Sequence, residues 1–332
     1  MRVSTQTVTA PGAISGNRGR ADRYGDRALL GITALASLLV VAVIAFIIYQ
    51  LIDGAEMSMS TFGIAFVGHD IWNPVLNNQN GVFGAAAFLY GTAVTSAMAL
   101  LIGGPIGIAI GLFLSLLAPR RVGAVIGPLV ELIAAIPSVV LGLWGVLVLA
   151  PAMRTTIQPA IHDVFGWIPL FGSPSLTGLG LFTAGTILTI MVIPIIASIS
   201  RELFLSVPKE LQEGALALGA TRWEMVRGVV LASTRPGLAA TLILGLSRAL
   251  GEAIAVLQVD GGGSSSSISA NIFGSGDTLA ARIANAFQSP TSTLESSSLF
   301  YLAVILLVLG LGTNLAAQLI VRRTTLGNQG AH

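Results

Sequence analysis

Apolar residues recur along this chain in runs long enough to cross a lipid bilayer, separated by short polar stretches at uneven spacing. A helix rises 1.5 Å per residue, so about 20 consecutive apolar residues traverse the hydrocarbon layer. By that measure the pattern predicts six spans, at 29–52, 86–117, 123–150, 178–200, 236–259 and 297–321. The predicted fold class is an all-α polytopic membrane protein with six transmembrane helices. The organisation follows: a polar, disordered tail at 1–28, a first helix and outer loop at 29–85, a core of five spans at 86–322 containing a polar loop at 201–235, and a short tail at 323–332.

The positions of the charges orient this map. Seventeen residues are basic. Fourteen fall in the leading tail, at Arg120 and Arg121, in the 201–235 loop, or at Arg322 and Arg323. These segments alternate to one side of six spans, and basic loops stay in the cytoplasm, so both termini are expected there. The apolar run after the tail lacks a small-residue cleavage site and is read as a retained span. Pro105, Pro128, Pro137 and Pro194 interrupt the spans, and 39 glycines are spread through the chain. Two readings follow: helices broken around a pathway, or close packing of helices through small residues such as GPIGIAIG at 104–111.

Outside the spans, residues 53–85 and 151–177 carry Trp72, Trp167 and the segment GWIPLFGSPS, which suits a structured external surface. GGGSSSSIS at 261–269 has the composition of a flexible linker. Asp277 is expected to cap a short helix with Leu279, Ile283 and Phe287 near one face.

Composition narrows the chemistry. Hydrophobic residues make up 54% of the 332 residues and charged residues only 10%, against roughly a quarter charged in soluble domains. With no cysteine, and with His69, His162 and His332 far apart, neither a disulfide framework nor a metal site is expected. The one lysine, Lys209, follows Pro208, so the chain has no phosphate-cradling Walker loop and no expected cofactor. If ATP drives this protein, a partner hydrolyses it.

The polar loop has its own pattern. Pro208 suits a first helical turn after a cap at Ser206 or Val207, and Glu210 and Glu213 favour the positive end of that helix. Leu211, Ala215 and Leu218 recur on one face, and Gly219 suits a left-handed stop. Thr221-Arg222-Trp223-Glu224 fits a capping box that starts a second helix. Two short helices around a sharp turn also describe a DNA-binding unit, but the loop is tethered at both ends and has four acids against five bases, so no nucleic-acid partner is expected. Lying flat on lipid is a better alternative; docking into a cytosolic partner fits best.

At these residues the chain resembles a family. Glu213-Gly214-Ala215, three more residues and Gly219 are similar to the EAA motif of ABC importer permeases, with Gly214 in place of an alanine. The continuation Val229-Val230-Leu231-Ala232 ends on Ala232 in place of a proline. IAAIPSVVLGLWGVLVLAP at 133–151, the segment 182–224 and LSRALGEAIAV at 246–256 extend the similarity to the phosphate-specific permeases within that family. The resemblance implies an ABC importer type I permease fold in a bacterial plasma membrane. It also implies a loop that couples to an ATPase through Glu213, Ala215, Gly219, Thr221, Arg222 and Glu224. The implied partners are a sister permease subunit, two ATP-binding subunits and an extracytoplasmic phosphate-binding protein, with inorganic phosphate as substrate.

Three charges fall inside spans: Glu131, Arg248 and Glu252. Each costs roughly 2.5–3.5 kcal/mol at mid-helix, so they are expected to face a cavity or one another. Arg248 and Glu252, four apart, can touch on a helix, either as a neutralising pair or as part of a translocation pathway in which the guanidinium meets phosphate oxygens. Glu131 either lines that path or bonds backbone groups freed by the nearby prolines. A permease for sulfate or molybdate, an ion-coupled secondary transporter and a phosphate-sensing scaffold are the alternatives.

Overall fold

The computed structural model describes residues 20–74, 81–262 and 268–329. Among them the structure is helical, with one isolated bridge, between Asn73 and Val82, and six helices long and apolar enough to cross a membrane. The chain divides between Gln50 and Leu51. Helix α1 (Arg20–Phe62), which starts in the first unit, is already formed nine residues before the expected span, so 20–28 is helix instead of tail. Residues 1–19 lie outside the described residues. Side chains from Tyr24 to Ile47 are all exposed, an arrangement that costs heavily in water and nothing in lipid.

The second unit is built on two helices, α2 (Ala86–Leu117) and α5 (Leu181–Leu205). They approach through glycine. A Cβ on Gly107 would lie 2.8 Å from the Cβ of Ile196, and one on Gly111 would lie 2.8 Å from the carbonyl oxygen of Ala197. The glycine-rich segment is therefore a packing seam, and Pro105 within it does not end α2. Pro128, Pro194 and Pro236 also sit inside continuing helices. Around this pair a core of fully buried side chains gathers, including Ala99, Met153, Ala184, Ile187, Ile196, Ala255 and Val256.

Three expected spans are redrawn. The span expected at 123–150 is broken at Pro137 into α3 (Arg120–Ala134) and α4 (Ser138–Phe165). The break is tightened by Ala135 and Ile136 donating to Leu132 and Ile133, three residues back, after which Pro137 is extended. Helix α4 is the crossing segment and carries on to Phe165, so the outer loop expected from 151 begins fifteen residues later. The span expected at 236–259 starts earlier, as α7 (Arg222–Gly251), and stops sooner; a separate short helix α8 (Ile254–Val259) follows. After α9 (Leu279–Ala286), the last helix α10 (Thr293–Gln329) overruns its expected span at both ends and includes most of the expected tail.

Residues 55–74 and 81–88 pack against α9 and the start of α10, burying Phe66, Trp72, Phe83, Phe88, Leu279 and Leu302. Of the two tryptophans expected on a structured external surface, Trp72 is buried in this cluster and Trp167 is 80% exposed. The Gly/Ser linker lies partly outside the described residues; its described edge, Gly261 and Gly262, takes positive φ values of 90° and 62°.

Candidate functional site

The polar loop is the helix α6 (Lys209–Ala217), a turn, and the first turn of α7. Pro208 itself occupies the capping position, with no side-chain cap, so neither Ser206 nor Val207 serves as expected. Gly219 has φ of +89°, the left-handed geometry that only glycine adopts without strain. Around it Ala220 N–H donates to the Ala215 carbonyl at 3.1 Å and Gly219 N–H to Leu216 at 3.0 Å, the paired bonds of a Schellman stop. The restart is a capping box. Thr221 N–H donates to Glu224 Oε2 at 2.8 Å, and Glu224 N–H donates back to Thr221 Oγ1 at 3.3 Å. The restarted helix is not a second short one; it runs on as α7.

The expected apolar face divides in two. Ala215 packs against Phe204, Val207, Met225, Val226, Val230 and Leu238, which anchors α6 to the ends of α5 and α7. Leu211 and Leu218 point away: Leu218 is 90% exposed, and Trp223 beyond the turn is 64% exposed. Glu213 and Arg222 are exposed as well. The loop is thus packed on its inner side and presents both apolar and charged side chains on its outer side.

The three charges expected inside spans are not brought together, and only Arg248 falls within a spanning helix: Glu131 is on α3 and Glu252 follows the end of α7. Helix α7 ends at Gly251 and Glu252 is extended, with ψ of 115°, so the four-residue spacing no longer stacks Glu252 on Arg248. Instead Glu252 Oε1 accepts from Ala255 N–H at 3.4 Å, at the start of α8. Arg248 is exposed and forms no ion pair among the described residues. Glu131, on α3, meets Arg201 of α5 at 3.9 Å. Gly127 makes the room: a Cβ there would lie 3.3 Å from the Arg201 guanidinium carbon. Neither the Arg248–Glu252 contact nor a backbone partner for Glu131 is found.

Sequence reasoning passed over two polar clusters away from the loop. In one, Glu295 Oε1 accepts from Trp72 Nε1 at 3.2 Å and lies 3.9 Å from Arg282 Nη2, while Thr291 donates from its amide and hydroxyl to Oε2 at 2.8 and 2.6 Å. The Arg282 guanidinium stacks 4.9 Å from the Trp72 ring. In the other, Asp277 does not cap α9. Thr278 does, accepting from Ala281 N–H at 3.3 Å, while Asp277 is buried against Asp260. Burial, then the neighbouring Asp277 charge, pushes Asp260 up to about 8; burial raises Asp277 to about 6 against the pull of Arg282. An acid expected at a helix start gave no sign in sequence that its partner would lie seventeen residues back.

The chain matches, over residues 103–326, the family described as binding-protein-dependent transport system inner membrane component. It is 43% identical to the phosphate transport system permease protein PstC of Mesorhizobium japonicum, across 83% of this chain and 84% of that one. It is 35% identical to PstC 2 of Mycobacterium tuberculosis, across 95% and 97%. Among solved structures, a chain of a bacterial alginate ABC transporter superposes with a TM-score of 0.55 at 17% identity, covering 89% of this chain and 97% of that chain. A chain of the MetNI methionine ABC transporter gives 0.51 at 21%, covering 72% and 96%. These likenesses establish the fold.

Proposed function

We infer the function from one premise: this chain belongs to the binding-protein-dependent transport system inner membrane components, and within them to the PstC phosphate transport permeases. It is the transmembrane permease subunit of an ATP-driven phosphate importer. It forms half of the translocation pathway, beside a sister permease, with both termini in the cytoplasm of a bacterial plasma membrane. An extracytoplasmic phosphate-binding protein delivers substrate, and two cytosolic ATP-binding subunits hydrolyse the nucleotide.

The observation that carries the coupling role is the loop between α5 and α7. Its inner residue Ala215 is fixed to the bundle, whereas Leu211, Leu218 and Trp223 expose apolar surface to the space where a partner would sit. Such a surface on a rigid support transmits displacement; a flexible loop would absorb it. Glu213, Gly219, Thr221, Arg222 and Glu224 hold this shape or offer polar contacts at its rim.

Arg248 is assigned to the anion path. It carries an unneutralised guanidinium beside the end of α7, and its planar paired donors match phosphate oxygens. Glu252 holds the break that follows, and keeps a negative charge near the path so that phosphate is bound weakly enough to leave. Glu131, paired with Arg201 at the end of α5 that leads into the coupling loop, is assigned to the cytoplasmic end of the path.

The assembled transporter in proteoliposomes tests both assignments at once. Gly219→Val forces a β-branched residue into a left-handed turn; ATP hydrolysis should persist while uptake falls at least tenfold. Arg248→Gln should lower uptake similarly, with the loop and ATPase assembly intact. Wild-type uptake rates in either variant, at equal membrane abundance, would remove that residue from the mechanism.

A further inference from the structure

The buried carboxyl pair of Asp260 and Asp277 lies outside the six spanning helices and takes no part in the coupling loop. Asp260 is 1% exposed and Asp277 8%. Each already accepts one backbone hydrogen bond, Asp260 Oδ1 from Gly262 N–H at 2.9 Å and Asp277 Oδ1 from Thr278 N–H at 2.8 Å. Asp277 directly follows Gly276, whose N–H bonds the Asp260 carbonyl, so the two buried carboxyls are neighbours, and burial together with the nearby Asp277 charge pushes Asp260 up. Two neighbouring buried carboxylates repel, and one retained proton relieves that repulsion.

Their place in the fold gives that proton a mechanical role. Asp260 directly follows α8, and Glu252 precedes it. Three of the six residues of α8, Ala255, Val256 and Val259, are completely buried, so the helix, about 9 Å long, moves as a unit or not at all. At its Asp260 end, Gly180 N–H donates to the Val259 carbonyl at 2.9 Å and Gly276 N–H to the Asp260 carbonyl at 3.1 Å. At its other end, Ala255 N–H reaches Glu252, at the break four residues from Arg248. The carboxyl pair ties the far end of α8 to the segment that leads into α9.

We propose that Asp260 and Asp277 are positioning residues for transport: the proton they share locks α8 in place, and α8 in turn holds Glu252 and the break beside Arg248 in the geometry that passes the anion. This rests on the phosphate-import reading above and extends it to a control by protons. Loss of the proton leaves two adjacent buried negative charges, which push the α8 end and the α9 segment apart.

The charged groups around the pair fit that role. Arg282, on α9, attracts Asp277, but its guanidinium is engaged by Glu295 of α10. Tyr90, on α2, lines the small cavity beside Asp277 and is the other titratable group there among the described residues. Arg282 Nη2 lies 3.9 Å from Glu295 while its buried Nε has no hydrogen-bond partner, and one guanidinium shared between Glu295 and Asp277 does not balance a doubly ionised pair. The sign follows from the raised values: the lock is complete below the ordinary carboxylate range near 3.8, and its hold is lost as pH rises through about 6 to about 8.

The experiment is ATP-driven phosphate uptake by the complete transporter in proteoliposomes from pH 6 to pH 9, with ATP hydrolysis measured in parallel, for wild type, Asp260→Asn and Asp277→Asn. An amide is neutral and has no proton to lose in this range. Asp260→Asn should therefore match wild type near pH 6 and exceed it by roughly threefold or more at pH 9, as one titrating group predicts. Phosphate's own ionisation acts equally on both. Superimposable pH profiles for wild type and Asp260→Asn would overturn the proposal, as would failure of both amide variants to accumulate at neutral pH. Should Asp260→Asn alone fail to accumulate, Asp277→Asn carries the same comparison. Absence of ATP-driven phosphate uptake by wild type at every pH would instead sink the import reading itself.

Discussion

The coupling loop and the polar clusters away from it are both polar islands in an apolar chain, yet they are held by opposite means. Every bond that shapes the loop spans five residues or fewer: Gly219 to Leu216, Ala220 to Ala215, Thr221 to Glu224. The clusters away from it join residues far apart in sequence. Trp72 bonds Glu295, Ser58 N–H donates to Ser297 at 2.9 Å, and Leu279 N–H donates to Thr92 at 3.0 Å. Local bonds form a projection that keeps its shape while exposed. Distant ones lock several segments together, and their polar atoms are buried in consequence. The first arrangement suits a part that must present itself to a partner, and the second a part that must hold helices in register.

That contrast is open to direct attack, beginning where the effect is greatest. Glu295→Ala would strand Arg282 in a buried site and leave Trp72 and Thr291 without their acceptor; a loss of about 3 kcal/mol is expected. Thermal unfolding of the detergent-solubilised subunit measures it, and a change near zero would show that the Glu295 cluster does not bind its segments. Thr221→Ala should cost about 1 kcal/mol. Because the loop is local, this loss should be confined to faster amide exchange around Arg222–Met225, without a shift in global unfolding. A global shift would erase the distinction between the regions. Gly214→Ala should do the reverse, stabilising α6 by about 0.5 to 1 kcal/mol, since a Cβ there meets nothing within 4 Å. Slower amide exchange across Lys209–Ala217 is the expected reading, and faster exchange would mean that Gly214 serves the turn and not the helix.

The same contrast explains what could be read from the sequence. Six spans were legible because lipid imposes one length on every crossing helix. The Thr221–Glu224 box and the Gly219 stop were legible because caps are local chemistry. The break at Pro137 was not singled out, because Pro105, Pro128 and Pro194 looked the same on paper and only the helices around them decide which one ends a helix. Arg248 and Glu252 were paired on the assumption of an unbroken helix, which the extended Glu252 removes. The pairing of Glu131 with Arg201, and of Asp260 with Asp277, depends on which helices lie side by side, and hydrophobic periodicity carries no such information.

The glycine seam between α2 and α5 sets a mechanical scale. With Gly107 and Gly111 against Ile196 and Ala197, the two helices leave no layer of side chains that could shear. They form a single stiff arm, and α5 alone, at 25 residues, is about 37 Å long. The coupling loop is mounted at one end of that arm. A tilt of about 5° at the loop would sweep the opposite end through roughly 3 Å, about the width of one phosphate oxygen, so under the coupling role proposed for the loop a push on a few residues is felt at the other end of α5.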